Sequence, residues 1–131
     1  MVPVRPFDDL DDADDPHGAV RAVLATLAVS AREANLARTA VLEEAVSALD
    51  AGRLATVERE AAVRAAHQVV GSAGTFGRHR SSQLAAELER WFRDTGDATG
   101  RPTLERVRAQ LAELRADLAG PAPDGDHQGE V

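Results

Sequence analysis

The chain has 131 residues and a formal net charge of −7, from 15 basic side chains, every one an arginine, against 22 acidic ones. A length of this order holds one domain around one modest core. With no cysteine, disulfides, thiol nucleophiles and zinc–thiolate sites are excluded, and with no lysine so are a lysine-bearing phosphate loop and Schiff-base chemistry.

The charge is unevenly placed. Asp8, Asp9, Asp11, Asp12, Asp14 and Asp15 crowd residues 1–15 against Arg5 alone, while Asp124, Asp126 and Glu130 lie close to the other end. The stretch between is nearly balanced. Residues 1–15 are therefore expected to form a disordered acidic tail, 16–120 a helical bundle and 121–131 a flexible tail. "MVPVRPFDDL" is neither apolar nor basic enough for a secretory leader, and no run reaches the ~20 apolar residues of a membrane span. A cytoplasmic chain without membrane contact is the expectation. Aromatic residues make up 3% and tyrosine is absent, so stacking platforms for nucleic acid are not expected either.

Along the chain, Asp15 and Pro16 suit a helix start. Val20, Val23, Leu24, Leu27, Leu36, Val41, Leu42, Ala45, Val46 and Leu49 then recur at three-and-four spacing. This predicts one long helix, or two broken near 30–35, stopped by Gly52 as a left-handed cap. A second helix is predicted from Leu54 through Val57, Ala61, Ala62, Ala65, Ala66, Val69 and Ala73 to Phe76. A third carries Leu84, Leu88, Trp91 and Phe92 and closes at "DTGDATG". The fourth starts near Pro102 and Thr103, with a stripe of Leu104, Val107, Leu111, Leu114 and Leu118. No period-two stretch argues a strand. The fold class expected is all-α, an antiparallel four-helix bundle.

The second helix holds an oddity, "AAHQVVGSAGTFG", in which His67 precedes Gly71, Gly74 and Gly77. At 100° per residue, Val69, Ala65, Phe76 and Ala62 fall about 160–220° from His67, so the histidine stands almost opposite the core stripe. Glu60, Val63, Arg64, Val70, Gly71 and Gly74 share its face, and Arg78 would join them if the helix ran that far. Gly71 and Gly74 leave a bare surface beside an exposed imidazole, and Val63 and Val70 are candidates for a partner surface. Gly77 reads as a cap, and Ser72 as a small residue turned toward a neighbouring helix. No orienting carboxylate or oxyanion donor is found at useful spacing. His17, His67, His79 and His127 contain no metal-ligand pair three to five apart, so no metal site is expected. What remains is a nucleophilic histidine whose reaction partner is another macromolecule.

"HQVVGSAGTFG", followed by "LAAELE", closely resembles the phosphoacceptor segment of histidine-containing phosphotransfer (HPt) domains. In these, a His is followed four residues on by Gly-Ser or Gly-Ala, by another Gly at the tenth place, and by a helix ending in Leu-Glu. His67, Gly71, Ser72, Gly77, Leu84, Leu88 and Glu89 match. The resemblance implies a phosphorelay intermediate in which His67 accepts a phosphoryl group from a receiver-domain aspartate and passes it to another receiver. It further implies no kinase activity, no cofactor of the chain's own (Mg²⁺ coming from the receiver), and receiver domains and a hybrid sensor histidine kinase as partners. A monomer is expected. The sequence departs from the family at two places. Val70 stands where a basic residue is usual three after the histidine, leaving Arg64 or Arg78 as substitutes. Ser81 replaces a common leucine, which is expected to weaken the start of the third helix.

Overall fold

The computed structural model describes residues 16–94 and 100–121. Four helices follow in order: α1 (Pro16–Asp50), α2 (Thr56–Thr75), α3 (His79–Asp94) and α4 (Arg101–Ala119). No strand occurs among the described residues. Residues 1–15 and 122–131, where the two tails were expected, lie outside them, as do residues 95–99 of the predicted "DTGDATG" stop. The chain divides into two compact units, one through Ser30 and one from Ala31 onward.

In the second unit the helices bury one shared core. Leu42, Val46 and Leu49 of α1 meet Ala62, Ala66 and Val69 of α2, Leu84, Leu88 and Phe92 of α3, and all five members of the predicted α4 stripe. The alanines of α2 are small enough to let α3 lie close against it. Gly74, half-buried near the end of α2, extends this contact, since a Cβ there would meet Ser82 Oγ of α3 at 3.5 Å. That distance is ordinary van der Waals contact. Gly74→Ala is therefore expected to stabilise the fold by up to about 1 kcal/mol through helix propensity, and a urea melt showing a lower midpoint would contradict it.

The helix ends are set by local chemistry. Gly52 (φ 73°) and Gly77 (φ 81°) adopt the left-handed conformation that side chains disfavour. Each closes a paired C-cap: Gly52 and Arg53 donate to Leu49 and Ala48, and Gly77 and Arg78 to Gly74 and Ala73. At the start of α2, Glu58 accepts from the Ala55 N–H at 2.8 Å. Ala55 has no side-chain acceptor to return the bond, so only half of a capping box forms. Phe76, expected on the core stripe, is half-buried in the non-helical C-cap position, because α2 ends at Thr75 and its periodicity stops there.

Among the described residues, no buried side-chain nitrogen or oxygen lacks a hydrogen-bond partner. Buried Asn35 donates to Ser72 Oγ at 3.2 Å, which gives Ser72 the interhelical place expected of it. Ser81 does not loosen α3: it is fully buried and donates to Asp117 of α4 at 2.5 Å, tying the helix start down. Arg115 grips Glu43 through two nitrogens, each at 2.9 Å, which joins α4 to α1.

The unit through Ser30 contains the first part of α1, which forms without the break allowed for near 30–35. Val20, Val23, Leu24 and Leu27 are each about half exposed, and Val41 and Val57 in the second unit are also exposed. Three-and-four spacing shows that residues share a helix face; it does not show that a neighbour covers it.

Candidate functional site

His67 sits in mid-α2, where Ala62, Ala65, Ala66, Val69 and Ala73 turn inward and the histidine turns out. Its side chain is 72% exposed. Nδ1 lies 3.1 Å from Oε2 of Glu89, on α3. The same oxygen accepts from Arg93 Nη2 at 2.8 Å. A carboxylate oxygen holding a guanidinium acts as an acceptor, so the hydrogen bond to the ring is made by an Nδ1–H. This tautomer leaves the lone pair on Nε2, the ring nitrogen that Glu89 does not hold. The ring is thus oriented on one side and open on the other.

One turn beyond, Gly71 is exposed, and apart from its own stretch of helix nothing lies within 4 Å of where its Cβ would stand. Val63 and Val70 are half-buried and packed against the core, presenting only part of their surface beside the ring. Arg64 is exposed. Among the described residues no cluster of His, Cys, Asp or Glu could hold a metal ion. A cavity of about 520 Å³ lies between α1 and the start of α2, lined by residues such as Glu44, Arg53, Leu54 and Glu58; His67 is not part of its lining. The histidine therefore faces outward from the bundle, suited to a reacting group carried on another molecule.

Comparison with known families agrees with this geometry. Residues 22–117 match the Hpt domain family. The chain belongs to that family. No curated protein and no solved structure matches it. Hpt domains are phosphocarriers of phosphorelays rather than kinases, and they interact with receiver domains and histidine kinases. No helix of this Hpt domain among the described residues is long and apolar enough to cross a membrane.

The structure brings His67, Gly71, Val63, Val70 and Arg64 of the Hpt domain to one face and removes two residues expected there. Arg78 lies beyond the Gly77 turn, is 9% exposed, and donates to the Asp117 and Gly120 carbonyls at 2.6 and 2.9 Å. It clasps the end of α4 and offers nothing to a partner at His67. Gly74 turns toward Ser82 instead of opening onto the bare surface. Arg78→Ala is accordingly expected to cost about 2–3 kcal/mol of stability, because it strips charged donors from two carbonyls. Phosphoryl uptake by the folded variant should match the parent; paired melts and labelling assays check both.

Glu89 is the residue that the helical projection missed. It lies 22 residues from His67 on a different helix, where a projection of α2 alone could not place it. The only signal was its membership of the Leu-Glu ending matched in the family motif.

Proposed function

We propose that this Hpt domain is a phosphorelay intermediate in which Nε2 of His67 takes a phosphoryl group from a receiver-domain aspartate and returns it to the aspartate of another receiver. The observation that carries the reading is the His67 ring itself, exposed and held at Nδ1 by Glu89. In-line attack on an aspartyl phosphate needs a positioned lone pair and charge neutralisation more than acid–base groups. The chain supplies the lone pair and its orientation; the receiver would supply Mg²⁺ and the acidic pocket. As the N–P bond forms, the ring becomes cationic, and the Glu89 carboxylate is placed to stabilise that charge. Open space at Gly71 lets the receiver's loops approach the ring.

Incubation with phosphorylated receiver domains tests the reading. An acid-labile, alkali-stable label should pass to the Hpt domain, and its absence across the full set of receivers from the source cell would overturn it.

A second reading rests on Val70. Without the usual basic residue, the same face would serve as an adaptor that docks a receiver or another helical partner with no phosphoryl transfer. Under that reading, His67→Ala leaves binding and cellular phenotype intact, whereas under the first it removes the phenotype.

A further inference from the structure

A phosphoryl group brings nearly two negative charges to the site, and the position three residues after His67 offers only Val70, packed against the core. We propose that Arg93 supplies the missing cation: its guanidinium moves from Glu89 to the phosphoryl oxygens once Nε2 is phosphorylated. This rests on the phosphocarrier reading above.

Placement favours Arg93 over Arg64, Arg78 and Arg59. Glu89 Oε2 touches both His67 Nδ1, at 3.1 Å, and Arg93 Nη2, at 2.8 Å, so Nη2 is no farther from Nδ1 than those two contacts laid end to end, with Nε2 across the same ring. Helix side chains lean toward the N-terminus of their own helix. The Gly74–Ser82 and His67–Glu89 approaches show α2 and α3 to be antiparallel. Arg93 therefore leans along α2 toward His67. Arg64, one turn before His67 on α2 itself, leans away from it. Arg78 is held by the end of α4, and Arg59 is bonded to the Phe92 carbonyl. The Arg93 side chain is 58% exposed, which leaves it free to swing, while that of Glu89 is 12% exposed and stays seated.

The transfer step supplies a reason for the exchange. The Nε2 lone pair attacks phosphorus, the bond from phosphorus to the donor aspartate oxygen breaks, and the electron pair leaves on that carboxylate. No proton moves, because Nδ1 keeps its own. The ring, now an imidazolium, takes the full attention of Glu89, and Arg93 exchanges a shared carboxylate oxygen for phosphoryl oxygens. Arg prefers such oxygens, since its planar fork can engage two at once.

The test uses the full chain phosphorylated by phosphoramidate, a small donor that needs no docking. Arg93→Gln should slow labelling and shorten the phosphohistidine lifetime, each by roughly tenfold or more, with an unchanged melting temperature. Arg93→Lys should recover part of both. Nitrogen NMR should show the wild-type Arg93 guanidinium signals shifting on phosphorylation, while the ring tautomer of unphosphorylated Arg93→Gln stays as in the parent. Wild-type rate and lifetime in Arg93→Gln would overturn the proposal alone, as would a loss confined to Arg64→Gln. A parent chain that takes up no phosphoryl group would overturn the phosphocarrier reading and this proposal together.

Discussion

His67→Gln should abolish phosphoryl uptake from every receiver domain while leaving the bundle folded. The glutamine amide nitrogen has its lone pair delocalised into the carbonyl and cannot act as the nucleophile. The cost to the fold is small, because the side chain is 72% exposed. Glu89 loses one donor and keeps Arg93. Stability is expected to stay within about 0.5 kcal/mol of the parent, as is usual for surface substitutions. Receiver incubation followed by acid and alkali treatment checks the outcome. Residual alkali-stable label on the variant would move the role of phosphoacceptor to another side chain.

Gly71→Arg should separate docking from folding. An added Cβ at residue 71 meets nothing within 4 Å, and arginine favours a helix over glycine by somewhat less than 1 kcal/mol. The variant is expected to melt no lower than the parent. Its long side chain, however, stands one turn from His67, where the proposed phosphotransfer would bring a receiver backbone close. Misplacing reacting atoms by even 1 Å can cost ~100-fold in rate, so transfer from a phosphorylated receiver should fall by roughly that factor or more. Reaction with phosphoramidate, which needs no docking, should fall far less. Equal losses with both donors would mean that residue 71 acts on the ring and not on the partner.

The sequence was most informative where one helix decides the outcome. The α4 stripe from Leu104 to Leu118 is buried throughout, and Gly52 and Gly77 take the left-handed angles that their positions suggested. The outward face of His67 also follows from the periodicity of α2 alone. Legibility ended where a second helix enters. Val20, Val23, Leu24 and Leu27 have core-like spacing yet remain exposed, because periodicity names a face and not its neighbour. Extending α2 past residue 77 would put Arg78 on the His67 face, but the turn at Gly77 redirects it to α4. Glu89 reaches His67 from α3 and is itself held by Arg93, and the Glu89 contact depends on the register between α2 and α3. That register is set by contacts such as Ser82 to the Val70 carbonyl at 2.8 Å, which helical spacing alone does not encode.

The central claim concerns one nitrogen atom, and nitrogen NMR of the ¹⁵N-labelled chain after phosphoramidate treatment reads it directly. A single phosphoryl group on His67 is expected, with the N–P coupling at Nε2 and the hydrogen retained on Nδ1 against Glu89. Phosphorylation at Nδ1, at another residue, or not at all would contradict it.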